Sequence, residues 1–205
     1  EHDPLTRYLS IWNSKIIEQA DNSGHTVTDL HKEKANKKEF EGRMKKLNPD
    51  LILLNGHGDD KSVTGHNNEV IVKEGENSEL LKDKITYAVA CSSAKVLGES
   101  CADSKTTYIG YDEYFVLNLD RRFFSDPLRD DKAGRFLEPS NKVALSLIKG
   151  HTAKEASESS RKAFRDNIIS LLTKSNPDAD EIDDAKNLHW NMTHQVCLGN
   201  GDAKL

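Results

Sequence analysis

The spacing of apolar residues predicts a series of helices along the chain. Asp3-Pro4 supplies an N-cap and then a proline at the first helical position, and apolar residues recur at helical spacing as far as Ile17. This pattern predicts a first helix that ends near Gly24. Similar spacing predicts further helices over residues 35–46, 92–101, 140–149 and 152–174.

Apolar runs bounded by turn residues predict the strands. Residues 51–54 and 85–90 are almost wholly apolar, which is typical of strands covered on both faces in a parallel sheet. Shorter strands are predicted over residues 26–30, 106–110 and 195–198, and a hairpin over 62–73. The charged or turn-rich segments 120–139 and 176–184 are predicted as loops. Because strands alternate with helices, we expect one α/β domain over residues 1–205, with helices flanking a mostly parallel sheet.

Composition and charge exclude several classes of function. The net charge of -5 comes from 34 acidic and 29 basic residues that are interspersed, so the sequence offers no basic surface for nucleic acid. No apolar run approaches the roughly 18 residues that a membrane span requires, and no secretory leader is recognisable. We therefore expect neither nucleic acid nor a membrane as a partner.

The chain has three cysteines, which lack the close paired spacing of disulfide scaffolds and zinc sites. A reducing, cytoplasmic setting fits this usage best. Cys101 and Cys197 are expected to be small core residues. The cysteine spacing therefore predicts neither a disulfide nor a zinc site.

Two reactive side chains follow the two predicted buried strands. His57 lies between Gly56 and Gly58 after the first of these strands, and Cys91 directly follows the second. Ligands bind at the carboxyl ends of parallel strands, and neighbouring strands lie about 5 Å apart. His57 and Cys91 are therefore predicted to face each other at one edge of the sheet.

A cysteine and a histidine paired at such an edge are suited to acyl transfer. A neighbouring imidazole and a helix N-terminus both favour the thiolate, and the helix predicted after Cys91 supplies the second of these. The glycines beside His57 allow the backbone to approach a substrate, and the amides of Gly58 and Cys91 are candidates for an oxyanion hole. This pattern predicts Cys91 as nucleophile and His57 as general base.

The segments around both residues resemble the motifs of clan CD cysteine peptidases, the group that includes the caspases. Residues 51–58, Leu-Ile-Leu-Leu-Asn-Gly-His-Gly, are similar to the histidine motif, and residues 89–94, Val-Ala-Cys-Ser-Ser-Ala, are similar to the cysteine motif. Residues 107–111 and 195–199 resemble later strands of the CHAT and gingipain-like branch. The resemblance implies a caspase-haemoglobinase fold, which is a three-layer sandwich, and peptide-bond cleavage by a Cys91–His57 dyad without metal or organic cofactor.

The chain departs from the family pattern in two respects. The separation between His57 and Cys91 is shorter than the roughly 50 residues typical of caspases, which favours the compact CHAT-like form. Family members also begin with a central strand, whereas Asp3-Pro4 already begins a helix here. We therefore expect another segment, either a retained N-terminal fragment or a regulatory protein, to supply that strand.

Acidic residues at three positions suggest a pocket for a basic substrate side chain. If the resemblance holds, Asp3, Asp112 and Glu113 occupy places that line this pocket, and a carboxylate there favours arginine or lysine before the scissile bond. Asp3 is equally suited to cap the first helix, and Asp112 and Glu113 are equally suited to an ordinary surface loop.

Other candidate residues receive structural interpretations. His66 lies in a turn-rich segment and is predicted to belong to the hairpin turn, and Asp59 and Asp60 are predicted to be solvated acids outside the dyad. A phosphatase with Cys91 in its phosphate-binding loop would need arginine six residues later, where this chain has Leu97, so the phosphatase interpretation fails. The principal hypothesis is a regulated endopeptidase that acts on peptides or proteins, and the alternative is a catalytically silent caspase-like scaffold.

Overall fold

A computed structural model describes residues 3–205, and its β structure forms two sheets. The larger sheet has the order β1 (Leu51–Asn55), β4 (Ile85–Val89), β5 (Thr107–Tyr111) and β6 (Gln195–Gly199). A separate hairpin pairs β2 (Ser62–Thr64) with β3 (Val70–Lys73). The strands β1, β4 and β5 are parallel, and β6 is antiparallel to β5. The predicted mostly parallel sheet and the predicted hairpin are confirmed.

Helices cover both faces of the four-stranded sheet. α1 (Pro4–Asn22), α4 (Asp131–Ile148) and α5 (Ala153–Leu172) contribute to the core on one face, and α2 (Lys37–Leu47) contributes with the hairpin to the core on the other. α6 (Ala179–His194) packs on α5, and a π-helical turn (Ala94–Gly98) continues into the short α3 (Glu99–Cys101). No helix within residues 3–205 has the length and apolar character needed to cross a membrane. Short 3-10 turns lie at Lys32–Lys34, His66–Asn68, Ser78–Leu81, Arg121–Phe123 and Pro127–Arg129.

Alternate residues of the central strands point to opposite faces, which produces two separate cores. Tyr87 and Val89 of β4 belong to the core beneath α1 and α4, whereas Ala88 belongs to the core beneath the hairpin. Every residue of β4 and β5 is buried. The prediction of strands covered on both faces is therefore confirmed for the centre of the sheet.

The prediction of a loop over residues 120–139 is wrong from residue 131 onward. α4 begins at Asp131 and continues through Pro139. Proline has no N–H, so the carbonyl of Arg135 loses its donor within the helix, and the side chain of Asn167 on α5 donates to that carbonyl at 2.8 Å instead. A contact between two helices thus stabilises a helix that the local sequence does not favour.

The second predicted loop, over residues 176–184, is wrong for most of its length. α6 begins after Asp178, whose side chain accepts from the amide of Glu181 while the Glu181 side chain accepts from the amide of Asp178. The acidic residues that suggested a solvated turn are therefore the start of a helix. The strand predicted over residues 26–30 is also wrong, because this segment is irregular.

β1 forms one edge of the larger sheet. No strand among residues 3–205 pairs with its outer side. Leu51 and Leu53 are partly buried and pack against the core that contains α1. The additional strand expected from the resemblance is not among the described residues.

Candidate active site

His57 and Cys91 lie at the carboxyl edge of the sheet. β1 ends at Asn55 and β4 ends at Val89, and because these parallel strands are direct neighbours, their ends bring both residues to one place. Both residues line one cleft of about 40 Å³ between the first turns of α1 and the segment after β5. The structure thus places the two residues predicted as nucleophile and base around a shared space.

Gly56 and Gly58 allow the histidine loop to lie against its neighbours. A Cβ atom at Gly58 would be 2.9 Å from the carbonyl oxygen of Cys91, and one at Gly56 would overlap the carbonyl oxygen of Thr64. The sequence suggested that these glycines make room for a substrate, but in the structure they make room for the cysteine turn and the hairpin. Gly58 therefore fixes the close approach of the loops that carry His57 and Cys91.

Asp3 holds the ring of His57 in place. Oδ2 of Asp3 lies 2.9 Å from Nε2 of His57. Burial alone would raise the pKa of Asp3, but hydrogen bonds from Thr6 and His57 outweigh it and lower that pKa to about 2. An ionised carboxylate only accepts hydrogen bonds, so Nε2 of His57 carries a proton. In the neutral ring, Nδ1 is then the basic nitrogen.

Asp3 also caps the first helix, which was one of its two expected roles. Its Oδ1 accepts from the amides of Leu5 and Thr6, and its Oδ2 accepts from the Thr6 hydroxyl. The N-cap prediction is therefore confirmed. The hydrogen bond to His57 was not predicted, because nothing local in the sequence indicates that α1 begins beside the end of β1.

The backbone that follows Cys91 forms a tight turn. Ser92 has a φ of 54°, in the left-handed region that non-glycine residues rarely adopt. Its N–H donates to the carbonyl oxygen of Glu113 at 2.9 Å, which anchors the turn to the segment after β5. Backbone conformations of this kind are common where a side chain must be presented at a functional site.

The helix predicted over residues 92–101 is confirmed for residues 94–101, and it begins two residues later than predicted. The helical segment consists of one π turn and a three-residue α-helix, so little dipole is available at its N-terminus. The amides of Val96 and Leu97 donate to the Asp60 carbonyl oxygen at 3.1 and 2.9 Å. These bonds tie the cysteine turn to the histidine loop, and His57 and Cys91 line the same cleft.

The N–H groups of Gly58 and Cys91 remain candidates for an oxyanion hole. Gly58 forms an isolated antiparallel bridge with Val63, in which the hydrogen bonds are made by the flanking residues His57 and Asp59. Within residues 3–205, neither the Gly58 N–H nor the Cys91 N–H donates to a backbone acceptor. Both groups therefore stay candidate donors for a substrate oxygen at Cys91.

The two other acids predicted to bind a basic side chain have partners elsewhere. Oδ1 of Asp112 lies 2.8 Å from Nδ1 of His194, and Oε1 of Glu113 lies 3.5 Å from Nζ of Lys95. Neither acid lines the cleft that contains His57 and Cys91. Their positions give no support to a pocket for arginine or lysine.

Cys91 differs from the other two cysteines in its surroundings. Cys101 is buried, and burial raises the pKa of the Cys101 and Cys197 thiols. Cys91 is partly exposed and lines the cleft, and all three thiols are free. Cys101 belongs to the core beneath the hairpin, as expected from the sequence.

The remaining candidates have local structural roles. The Asp59 carboxylate accepts hydrogen bonds within its own loop. His66 lies in the hairpin turn, where Asn67 and Asn68 have positive φ values, so the turn interpretation is confirmed. Within residues 3–205, no cluster of His, Cys, Asp and Glu side chains has the grouping needed to hold a metal ion.

Sequence reasoning missed the apolar wall of the cleft. Leu5 and Leu9 reach it from α1, and Phe115 and Leu117 reach it from the segment after β5. These residues come from distant parts of the sequence, so no local pattern indicates that they meet. The wall adds a binding surface to the predicted pair of reactive residues.

With the geometry of the cleft described, the chain was compared with known proteins. No protein-family model matches it, and no curated protein matches it significantly. The residues around the cleft therefore provide the evidence for function.

Proposed function

We propose that the protein is a cysteine endopeptidase in which Cys91 is the nucleophile and His57 the general base. The observation that carries this proposal is the shared cleft, which both residues line while Asp3 orients the ring of His57. A cysteine that served only in packing would need neither a cleft nor an oriented histidine beside it. A thiol, a base and a group that orients the base together meet the requirements of nucleophilic acyl transfer.

In the proposed mechanism, Nδ1 of His57 takes the thiol proton of Cys91, and the sulfur attacks the carbonyl carbon of the scissile bond. The amides of Gly58 and Cys91 donate to the oxyanion of the tetrahedral intermediate. When the C–N bond breaks, the imidazolium gives its proton to the leaving amine. His57 then deprotonates a water molecule that hydrolyses the thioester, which releases the acid and restores the thiol. Asp3 stabilises the imidazolium throughout.

We also propose that the domain has a caspase-haemoglobinase fold. The order of three parallel strands followed by an antiparallel β6 supports it, as do the helices on both faces and the positions of His57 and Cys91 after adjacent strands. The outer edge of β1 is where the additional strand of that fold would pair. That strand would come from a retained N-terminal fragment or from a regulatory protein.

The proposal is tested by measuring thiol reactivity and peptide cleavage on the same samples. Iodoacetamide at neutral pH is expected to modify Cys91 first, and Cys91→Ala is expected to abolish cleavage of a mixed peptide library. Cys197→Ala is the matched control, because this thiol lies outside the cleft and its burial raises its pKa. The control is expected to retain wild-type cleavage.

Two results would contradict the proposal. One is labelling of Cys101 or Cys197 before Cys91, and the other is equal cleavage by the wild type and Cys91→Ala. Preferential labelling of Cys91 without cleavage of any peptide would favour the alternative, a catalytically silent scaffold.

A further inference from the structure

We infer that the cleft beside Cys91 selects a branched aliphatic side chain, valine or leucine, in the residue before the scissile bond. This inference rests on the proposed peptidase function and names the substrate class of the same site. It replaces the basic side chain suggested by the sequence, and it follows from the lining, charge, position and size of the cleft.

Apolar side chains form almost the whole lining of the cleft apart from the reactive pair. They come from α1, from the end of β4 and from the segment after β5. No Asp, Glu, Lys or Arg of the described chain lines the cleft. The apolar members are Leu5, Leu9, Val89, Ala90, Phe115 and Leu117.

A charged substrate side chain would lose its solvation in this cleft without gaining a partner. Asp3 already binds His57 and the start of α1, Asp112 binds His194, and Glu113 binds Lys95 at the surface. Burial of an unpaired charge is strongly unfavourable, whereas burial of an aliphatic group against carbon atoms is favourable. The cleft therefore discriminates against arginine, lysine, aspartate and glutamate.

The position of the cleft assigns it to the residue before the scissile bond. The sulfur of Cys91 bonds to the carbonyl carbon of that residue, whose Cβ is only two further bonds away, about 4 Å from the sulfur. The side chain must therefore enter space that Cys91 itself lines. The cleft next to Cys91 meets this condition, and its lining residue Leu5 is 40% exposed, so the cleft can be reached from solvent on that side.

The size of the cleft favours a short branched side chain. A volume of about 40 Å³ holds roughly three water-sized groups, at about 10–15 Å³ for each. Valine carries three side-chain carbons and leucine four, so both fill this space. An aromatic ring needs more room than the cleft offers.

The test measures how fast peptidyl chloromethyl ketones alkylate Cys91, because this reaction does not require turnover. Reagents that differ only in the terminal residue carry leucine, valine, phenylalanine, arginine or aspartate, and mass spectrometry measures the rate at Cys91. Each rate is expressed relative to the rate with iodoacetamide. On this scale, the leucyl and valyl reagents are expected to react at least about tenfold faster than the arginyl and aspartyl reagents. Equal rates, or faster reaction of the arginyl or aspartyl reagent, would overturn the inference.

The substitution Leu5→Glu is expected to shift the preference of the cleft from leucine toward arginine. It places a carboxylate at an exposed position of the cleft lining, in the first turn of α1, where an acidic residue is compatible with the helix. The ratio of arginyl to leucyl reactivity is expected to rise at least about tenfold. Leu128→Glu is the matched control, since Leu128 is 43% exposed and lies outside the cleft, and it should leave the ratio unchanged.

The outcomes separate this inference from the peptidase proposal. If iodoacetamide fails to label Cys91 first, the proposed function fails, and the inference fails with it. If Cys91 labels first and peptides are cleaved, but the five reagents react alike or Leu5→Glu changes no ratio, only the inference fails.

Discussion

Among residues 3–205, two histidine–aspartate pairs lie at the carboxyl edge of the sheet, and one of them shares a cleft with a cysteine. Nε2 of His57 is 2.9 Å from Asp3, and Nδ1 of His194 is 2.8 Å from Asp112, so the two hydrogen bonds are alike. Their surroundings are different. His57 lines the cleft with Cys91, whereas the ring of His194 packs against Trp190 with 4.1 Å between ring centroids.

Under the proposed function, an oriented histidine is therefore insufficient by itself, and a cysteine in the same cleft is the second requirement. His194 is the last residue of α6, and the amide of Asp112 donates to its carbonyl oxygen at 3.1 Å. The side-chain and backbone bonds together join the end of α6 to the end of β5. The second pair is therefore a structural connection, and the neighbouring cysteine distinguishes the first.

The largest effect expected from this comparison is on catalysis by histidine variants. His57→Ala should lower kcat/KM by about 100-fold or more, because it removes the general base. His194→Ala should change kcat/KM by less than about threefold, because His194 does not line the cleft and makes no contact there that could strengthen in the transition state. Steady-state kinetics on the best peptide measures both, and a larger loss in His194→Ala would reverse the assignment of the pairs.

A second expected effect concerns the spacing between the first pair and its cysteine. In Gly58→Ala, the new Cβ would lie 2.9 Å from the carbonyl oxygen of Cys91, so one loop must shift. The shift needed is a few tenths of an ångström. Because a misplacement of about 1 Å costs about 100-fold, this smaller shift should lower kcat/KM by at least about tenfold. Gly42→Ala on α2 meets nothing within 4 Å and should retain activity with slightly higher stability. Full activity in Gly58→Ala would show that the close approach is unnecessary.

A smaller effect is expected from the acids of the two pairs. Asp3→Asn preserves the helix cap, since asparagine caps as well as aspartate, but it removes the charge that stabilises the His57 imidazolium. We expect a loss of about tenfold in kcat, similar to the loss when other oriented histidines lose their partner. Asp112→Asn should leave kcat unchanged. Equal effects of the two substitutions on kcat would mean that the pairs are functionally equivalent.

The smallest expected effect is on stability at low pH. The pKa of Asp3 is about 2 in the folded protein, below its ordinary value of 3.8. Asp3 therefore stabilises the fold fully above about pH 4, and this contribution disappears as the pH falls toward 2. The difference in unfolding free energy between wild type and Asp3→Asn should be about 1–2 kcal/mol near neutral pH and should shrink on acidification. Urea unfolding at pH 3, 4 and 7 measures it, and a difference that is constant with pH would contradict the assignment.

The sequence predicted the parts of the fold that local patterns specify. The apolar runs before His57 and Cys91 identify β1 and β4, and their order along the chain makes them neighbours. Two helical segments were not predicted, namely α6 and the part of α4 that precedes residue 140. α6 begins with a capping box at Asp178, which could have been recognised locally, whereas the passage of α4 through Pro139 depends on a side chain from α5.

The candidate site also has one part that the sequence predicts and one part that it does not. The positions of His57 and Cys91 follow from the ends of adjacent strands, so the sequence was sufficient to predict that they are close. The partner of His57 and the apolar wall were not predictable, because Asp3 and Leu5 meet the strand ends only through the packing of α1. Residues that are distant in the sequence carry the binding properties of the cleft.

No strand of the described chain, residues 3–205, pairs with the outer edge of β1, and this has a consequence for amide hydrogen exchange. The N–H of Gly56 donates to β4, and in a parallel ladder alternate residues share this direction, so the amides of Ile52 and Leu54 also point to β4. The amides of Leu51, Leu53 and Asn55 point outward and should exchange much faster, giving an alternating pattern along one strand. A strand that pairs with this edge would slow the fast group and leave the slow group unchanged. Exchange at three amides therefore reports directly whether β1 is an edge strand in solution.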